Sequence, residues 1–319
     1  MLFMGQDTRN HLSYCLMMID LEKYLPKKGG IDLKKILVTP GKEVDLAKDF
    51  ETSYTGAYKD KKEAEVDLTA NVTRLAEQQD LLFATDTYSL LIVFQALDAA
   101  GKDSTIKHVM SGVNPQGCQV HSFKAPSAEE LDHDYLWRTT RNLPRRGQIG
   151  IFNRSYYEEV LVTRVHPELL QNQHLPPKLD KKTIWNQRFE DITNFERYLT
   201  NNGTIILKFF LNVSEAEQKK RFLKRIEEKE KNWKFSAADI RERRSWPDYM
   251  LAYEQALTHT STSWAPWFVI PADHKWFSRL AVSQVIVATL KSLDLKYPTV
   301  PKSKVEELEK AKQELLSEK

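Results

Sequence analysis

Apolar and polar positions along the chain predict short buried strands that alternate with amphipathic helices. Leu90–Phe94 is an unbroken apolar run, too short and too uniform for an amphipathic helix, and it predicts a strand buried on both faces. Thr204–Leu211 has the same character, and weaker strand patterns cover Cys118–Phe123, Gln148–Phe152 and Trp267–Ala272. Strands that alternate with helices predict an α/β fold, a three-layer α/β/α domain built on a parallel sheet.

Helical spacing of apolar residues marks several of the intervening segments. Leu68, Val72, Leu75 and Leu82 repeat at helical spacing within 61–87 and predict an amphipathic helix that leads into the first strand. Ser127 and Glu130 have the spacing of a capping box, which predicts the start of a helix that runs to about Asn142. Further helices are predicted over 104–110, 154–166, 181–200, the segment capped by Ser214, and 277–293.

The chain divides into three parts on this reading. Residues 1–60 are irregular, and we expect an arm that packs over the core, poorly ordered before about Ile31. Residues 61–300 form the α/β/α domain, with a linker near Pro176 and Pro177 and a lid at about 226–250. The charged tail, 301–319, carries a heptad-like stripe: either it packs on a neighbouring subunit or it is a solvated helix.

Composition and charge argue against a nucleic-acid-binding, membrane-bound or secreted protein. The chain has 319 residues and a net charge of +3, so no general attraction to nucleic acid or membrane is implied, and any polyanion site must come from local clustering. Cys15 and Cys118 are isolated thiols, which suits a reducing cytoplasm. No apolar stretch is long enough to span a bilayer, and Leu12–Ile19 lacks a clear signal-peptide cleavage region. We therefore expect a cytoplasmic protein.

The segment after Leu90–Phe94 has the layout of a phosphate-binding loop. A strand, a tight loop with Gly101 and Lys102, and a helix from Ser104 would aim backbone N–H groups and a lysine at an anion. An ordinary strand-to-helix turn with a solvated Lys102 is the alternative. The predicted phosphate-binding residues of the loop are Ala99, Ala100, Gly101, Lys102, Asp103 and Ser104.

Two departures from the usual phosphate-loop pattern are informative. Ala96 stands where the first glycine is usual, and Asp103 stands where a metal-binding hydroxyl is usual. Asp98 lies inside the loop, where a carboxylate would repel phosphate unless a divalent cation lay between them. We therefore predict that Asp98 is a ligand of Mg²⁺, with Mn²⁺ as an alternative.

A second candidate site follows the strand at Gln148–Phe152. Asn153 could bond a metal-bound water or coordinate a metal weakly, and Arg154 could hold a phosphate oxygen. Glu158, one turn further, would face the same way. A capping asparagine beside a solvated arginine is the alternative, and it is compatible with the catalytic reading.

A third candidate site is the cationic stretch 214–244, which holds eleven basic and seven acidic residues. Arg221 and Arg225 are four residues apart and share a helix face. A solvated helix is the default reading, whereas a mobile lid that closes over a multiply charged anion is the functional one. Arg221, Arg225, Lys234 and Arg244 are the predicted phosphate contacts of this stretch.

Together these residues resemble the family-2 polyphosphate kinases, over roughly 31–297. The motifs that carry the resemblance are Asp98–Lys102, Asn114–Gly117, Asn153–Tyr157, Asn232–Ser236 and Ala265–Asp273. The resemblance implies a P-loop kinase fold of the thymidylate-kinase type with a helical lid. It also implies Mg²⁺-dependent transfer of phosphate between inorganic polyphosphate and nucleotides.

Carried onto this chain, the resemblance makes Asp98 and Asn153 the metal site, and Lys102, Arg154, Glu158 and Arg225 catalytic residues together with them. Asn153 stands where many relatives carry Asp, and Asn153–Glu158 is similar to the subgroup that phosphorylates both AMP and ADP, giving ADP and ATP. A homo-oligomer, a dimer or a tetramer, is expected, with no nucleic-acid or membrane partner. The number of metal ions and the preferred direction stay open.

Two other functions are alternatives. One fits the same fold, and the other fits the same local excess of basic residues. An ATP-dependent small-molecule kinase would need an adenine pocket and an acceptor site, whereas the basic excess in 214–244 favours a polymeric donor. A non-catalytic polyanion-binding protein would bind its ligand almost unchanged after Lys102→Ala and would show no turnover.

Overall fold

The computed structural model describes residues 21–27, 29–176 and 183–318 and is built on a parallel β-sheet. Within these residues the sheet has five strands in the order β2-β3-β1-β4-β5, and every pair is parallel. The strands are β1 (Ser89–Gln95), β2 (Cys118–Ser122), β3 (Ile149–Asn153), β4 (Thr204–Asn212) and β5 (Trp267–Pro271). The predicted parallel sheet is confirmed, with strand ends shifted by at most one residue.

The longer helices connect and cover these strands. They are α1 (Lys61–Thr85), α2 (Lys102–Val109), α3 (Ile184–Asn201), α4 (Glu215–Glu227), α5 (Ala237–Glu242), α6 (Trp246–Thr260), α7 (Lys275–Ser292) and α8 (Lys302–Ser317). Single helical turns are found at Leu21–Tyr24, Leu46–Asp49, Ala128–Leu131, Trp137–Thr140 and Val162–Val165, and 3₁₀ turns at Leu33–Lys35, Pro115–Gly117, Tyr156–Glu159, Pro167–Gln173, Lys229–Lys234 and Arg243–Ser245.

Strand β1 divides the core into two layers. Its side chains alternate across the sheet, so Leu90 and Ile92 pack with α1 and α7, while Leu91 and Val93 pack with α3 and α6. All seven residues of β1 are buried. A central strand covered on both faces produces the unbroken apolar run, and the predicted α/β/α layering is confirmed.

The segment before α1 is tied to the core. Val38 donates its N–H to the Trp267 carbonyl at 3.0 Å, and Val269 donates to the Ile36 carbonyl at 2.7 Å, beside an antiparallel bridge to β5. The expectation of poor order before about Ile31 is wrong for Leu21–Tyr24, because Leu21 is buried in the first core layer. Residues 1–20, with Leu12–Ile19 and Cys15, lie outside the described residues, as does Pro177 of the predicted linker.

Two predicted helices are interrupted in the structure. The capping box of Ser127 and Glu130 is present, but the helix ends at Leu131. The Asp134 carboxylate accepts the Leu136 N–H at 2.9 Å and starts a separate turn there. The segment after β3 is also broken, because Arg154 has a left-handed backbone with φ of 65°. Helix α8 is exposed along its described length.

Among the residues described, no helix has both the length and the apolar character that a membrane crossing requires.

Candidate active site

The carboxyl edge of the sheet brings the two strongest sequence motifs together. Phe94 of β1 pairs with Asn153 of β3, and the Arg154 N–H donates to the Phe94 carbonyl at 3.0 Å. The loop that follows β1 and the turn that follows β3 therefore leave the sheet side by side. This edge is where ligands bind in open α/β sheets.

The loop between β1 and α2 has the backbone of an anion-binding turn. Ala99 and Gly101 both have positive φ, 60° and 114°, and Gly101 is the residue that precedes α2. The Thr105 N–H bonds the Gly101 carbonyl at 3.0 Å, so the N–H groups before it in the first turn lie at the free amino end of the helix. The predicted helix starts two residues earlier than expected, at Lys102 itself.

Lys102 is buried against the loop. Its Nζ donates to the Ala96 carbonyl at 2.6 Å, at the point where the loop begins. Burial and the nearby Arg154 cation lower the pKa of Lys102 to about 8, against the opposing effect of carboxylates that include Asp98 and Glu158. The Lys102 ammonium is therefore charged at neutral pH but loses its proton more easily than an exposed lysine. A bound anion would favour the charged form and raise the pKa of Lys102 again.

Arg154 links the loop to the turn after β3. Its Nη2 lies 2.9 Å from the Asp98 carboxylate, and its Nη1 lies 3.4 Å from Glu158. Gln95 donates to the other Glu158 oxygen at 2.7 Å, which holds that carboxylate at the end of β1. The Glu158 and Asp98 carboxylates raise the pKa of Arg154 above its usual value. Asp98 of the first predicted site and Arg154 and Glu158 of the second therefore form one charged cluster.

The predicted metal ligands lie at the same edge. Asn153 donates its amide to the Asp103 carboxylate at 2.8 Å, and Asp98 and Asp103 both face the cleft beside the loop. No group of three or more His, Cys, Asp or Glu side chains in the described part of the chain is arranged to hold a metal. Mg²⁺ commonly takes one or two protein carboxylates together with waters and substrate phosphates. The oxygen donors of Asp98, Asp103 and Asn153 fit that type of site.

A cationic wall faces the loop across the cleft. Arg225 lies 3.8 Å from Asp239 of α5 and lines the cleft, as does Arg221. Arg244 is exposed and is absent from the described cleft lining, and the side chain of Lys234 lies outside the described residues. Phosphate contacts by Arg244 and Lys234 stay predictions.

Sequence reasoning missed two lysines of this wall. Lys124 lies just after β2, and Lys275 is the first residue of α7 after β5, and both line the cleft. Burial and the neighbouring arginines, Arg221 first, lower the pKa of Lys275 to about 8. Each lysine follows the carboxyl end of a parallel strand, which is the same signal that identified Asn153.

Two cavities meet at this cluster. The phosphate-loop cleft has a volume of about 540 Å³ and is lined by loop residues and the cationic wall. A second cavity of about 630 Å³ lies between the turn after β3 and the Ala128–Leu131 turn, with Tyr135 and Tyr156 among its lining. Arg154 and Lys124 line both cavities. The Arg154 guanidinium therefore lies where a ligand in one cavity would meet a ligand in the other.

Residues of the predicted lid segment, among them Asp239 and Glu242, line a small cavity beside Arg154. Glu242 of α5 lies 2.9 Å from His166 and accepts the Tyr249 hydroxyl at 2.7 Å. Arg243 donates to the Gln218 side chain of α4 at 2.5 Å. These polar contacts connect the lid to the core next to Arg154.

A parallel sheet, a strand–loop–lysine–helix unit and a helical lid define a P-loop kinase. The family model "Polyphosphate kinase 2 (PPK2)" matches residues 58–298, and the chain belongs to that family. It is 52% identical over 287 residues to an ADP-polyphosphate phosphotransferase of Rhodopseudomonas palustris, covering 90% of this chain and 99% of that one. It is 43% identical over 267 residues to an AMP/ADP-polyphosphate phosphotransferase of Meiothermus ruber, covering 83% and 96%.

The fold is also similar to a solved structure of the family. The crystal structure of polyphosphate kinase 2 from Arthrobacter aurescens superposes with a TM-score of 0.76 and 40% sequence identity, covering 82% of this chain and 90% of that one. The resemblance stated from the five motifs, and the fold that it implied, are confirmed.

Proposed function

We propose that the protein transfers the terminal phosphate of inorganic polyphosphate to ADP, and also to AMP. The observation that carries this proposal is the pair of cavities that share Arg154. The names of the Rhodopseudomonas and Meiothermus relatives supply the donor and the acceptor class. A cationic cleft suits a polyanionic chain, and an adjoining cavity with aromatic lining suits a nucleotide.

The phosphate-loop cleft is the proposed donor site. Lys102, Lys124, Lys224, Arg225 and Lys275 line it, so that its positive charge is spread over five side chains. A repeating polyanion can use such a set of cations, whereas a small phosphorylated metabolite needs fewer. This favours polyphosphate over a small-molecule phosphoryl donor.

The larger cavity is the proposed acceptor site. It is lined by aromatic and apolar side chains, including Tyr135, Tyr156 and Val162, and by charged side chains of both signs, of which the cations Arg154 and Lys124 also line the cleft. A nucleoside would lie against the apolar part, with its phosphate directed to Arg154 and Lys124. The acceptor oxygen would then face the terminal phosphorus of the donor chain.

The chemical step follows from these charges. A nucleotide phosphate oxygen attacks the terminal phosphorus, and the bond to the bridging oxygen breaks, which leaves a polyphosphate shorter by one unit. Loop N–H groups, Lys102 and Arg154 stabilise negative charge as it moves between the phosphoryl oxygens. Positioning and electrostatics supply the acceleration, and no covalent enzyme intermediate is required.

Asp98, with Asn153 and Asp103 beside it, is the proposed metal site. Bound Mg²⁺ would neutralise phosphate charge and fix the donor against the loop, and Mn²⁺ is a natural substitute. Arg154, which lies at 2.9 Å from Asp98, would keep a phosphate oxygen within reach of the same carboxylate. A homo-oligomer and a cytoplasmic location remain predictions of the sequence.

Purified protein tests the proposal when it is incubated with polyphosphate, Mg²⁺ and either ADP or AMP. We expect ATP from ADP, and ADP followed by ATP from AMP, with products separated by chromatography. ATP from ADP with no product from AMP would exclude AMP as the acceptor and leave ADP, the nucleotide in the Rhodopseudomonas relative's name. Absence of both products, together with ATP-dependent phosphorylation of a small molecule, would overturn the proposal.

A further inference from the structure

The side chain of Arg221, on helix α4, binds backbone carbonyls of the phosphate loop. This guanidinium is almost entirely buried, with 6% of its side-chain surface exposed. Its Nη1 donates to the carbonyls of Ala99 and Ala100 at 3.1 and 2.6 Å. Its Nη2 donates to the carbonyls of Ala272 and Asp273 at 2.6 and 3.0 Å.

The remaining donor of Arg221 is also used. Its Nε donates to the Glu217 carboxylate at 2.8 Å, one turn earlier in α4. Every N–H of the guanidinium thus has a protein acceptor, in the planar fork that arginine alone provides. An arginine committed in this way has no donor left for a phosphate oxygen, although it lines the cleft.

These bonds determine how the loop backbone faces the cleft. The C=O and N–H of a trans peptide point in opposite directions, so a carbonyl held on Arg221 turns the following N–H away from α4. The Ala100 carbonyl on Arg221 orients the Gly101 N–H in this way, at the amino end of α2. Ala99 has a left-handed φ of 60°, a conformation that the neighbouring structure must hold for an alanine.

Gln218 extends the same contact. It is buried, and its Nε2 donates to the Asp98 carbonyl at 2.9 Å. Gln218 and Arg221 of α4 therefore bind three consecutive carbonyls of the loop, those of Asp98, Ala99 and Ala100. The contacts to Ala272 and Asp273 fix the turn that carries Lys275 relative to the loop.

We propose that Arg221 and Gln218 are positioning residues: they hold the carbonyls of 98–100 so that the N–H groups of Ala99 and Gly101 are oriented for phosphate before it binds, whereas the Ala100 N–H bonds to the Leu97 carbonyl. Arg221 acts through the loop and does not ligate the phosphate chain. The role in turnover rests on the function proposed above, whereas the effect on the loop backbone can be measured without turnover.

Arg221→Lys is the decisive variant. Lysine keeps the positive charge but cannot reach carbonyls on two sides, so positioning predicts a loss similar to that of Arg221→Ala. We expect kcat to fall by about 10²-fold in both variants, with the KM for polyphosphate changed less than about threefold. Hydrogen exchange of the 99–104 amides in the ligand-free protein should become faster in both.

Arg225→Lys is the matched comparison on the same helix. Arg225 lines the cleft and its guanidinium pairs with Asp239 instead of the loop carbonyls, so its change should raise the KM for polyphosphate while loop exchange stays at the wild-type rate. Gln218→Ala removes only one of the bonds to the loop, together with the bond that Gln218 accepts from Arg243, and should give a smaller acceleration of loop exchange. It keeps the test valid if the Arg221 variants do not fold.

Two results would overturn the inference. One is an Arg221→Lys protein with wild-type loop exchange and wild-type kcat. The other is an Arg221→Ala protein whose only defect is a higher KM for polyphosphate that Arg221→Lys restores, because that pattern identifies a direct charge contact. Loop exchange that responds as expected in a protein without polyphosphate turnover would reject the proposed function and retain the positioning role.

Discussion

The Lys208 ammonium lies 2.6 Å from the Glu196 carboxylate in the interior of the domain, and neither side chain is exposed to solvent. Lys208 also donates to the Tyr157 hydroxyl at 2.9 Å and to the Thr260 carbonyl at 2.7 Å. The Tyr156 and Tyr157 hydroxyls both bond to Glu196. The two tyrosines follow Arg154 closely in the chain, so this buried pair anchors the turn that carries Arg154 and Glu158.

Removing one partner of this pair should be more harmful than removing both. Lys208→Met leaves the Glu196 carboxylate buried without its cation and should lower the free energy of unfolding by about 3–5 kcal/mol. The double variant Lys208→Met with Glu196→Gln leaves no unpaired charge and should be destabilised less than Lys208→Met alone. Urea unfolding measures both, and a double variant at least as unstable as Lys208→Met would contradict the assigned pairing.

Lys102 predicts a pH dependence of donor binding. With its pKa lowered to about 8 by burial, Lys102 is protonated below pH 8 and neutral above it in the free protein. The KM for polyphosphate should therefore rise as pH increases through about 8. At saturating polyphosphate the loss should occur at higher pH, because a bound anion favours the charged lysine.

Lys275 also has a pKa of about 8, so its titration must be distinguished from that of Lys102. Substitution of Lys102 by arginine makes this distinction. Lys102→Arg stays charged across this range and should leave only the part of the pH dependence that belongs to Lys275. The double variant with Lys275→Arg should show an almost flat KM between pH 7 and pH 9, even at reduced kcat. A pH profile that is the same in wild type and double variant would assign the titration elsewhere.

The parts of this site that the sequence could predict depend on short-range patterns. The apolar run at Leu90–Phe94 predicted β1, and the carboxyl-edge rule placed Asn153 and Arg154 beside the loop, where the structure has them. The strand pattern and the capping box depend only on neighbours in the chain. The loop motif, the turn after β3 and the basic stretch all reach one cleft because the sheet is parallel.

Other features depend on contacts between distant segments. Arg221 looks like any cation of a basic helix, and only the folded loop reveals that its donors bind four backbone carbonyls. The predicted helix ends at Leu131, and Asp134 then accepts the Leu136 N–H, a type of side-chain bond that competes with helix and that the apolar pattern does not reveal. Lys275 could have been found by applying the carboxyl-edge rule to β5 as it was applied to β3.

Asp98 predicts the metal dependence of the reaction. Asp98→Asn removes the charge from the proposed Mg²⁺ ligand and should raise the Mg²⁺ concentration for half-maximal activity by about tenfold or more. Titration of Mg²⁺ at fixed polyphosphate and ADP measures this value. Asp86→Asn is a matched control, because Asp86 ends α1 just before β1, away from the carboxyl edge. If both variants need the same Mg²⁺ concentration as wild type, Asp98 is not a metal ligand.

His166 and Glu242 predict that the lid contact weakens as pH rises. The hydrogen bond that the His166 imidazole donates to the Glu242 carboxylate raises the pKa of His166, and the Glu168 carboxylate 3.4 Å away adds to it, against partial burial. A group with a raised folded-state pKa stabilises the contact fully below its unfolded value of about 6.5, and that contribution disappears as pH rises through the folded-state pKa. The lid helix α5 should therefore open more readily above neutral pH.

Hydrogen exchange of α5, corrected for the intrinsic effect of pH on exchange, measures this opening. We expect protection of 237–242 to fall between pH 6 and pH 8 in the wild type and to be nearly independent of pH in His166→Gln. Tyr249→Phe removes the hydroxyl bond to Glu242 and leaves His166 in place, so it should lower protection at every pH and keep the slope. A wild-type slope that persists in His166→Gln would place the titrating group outside this contact.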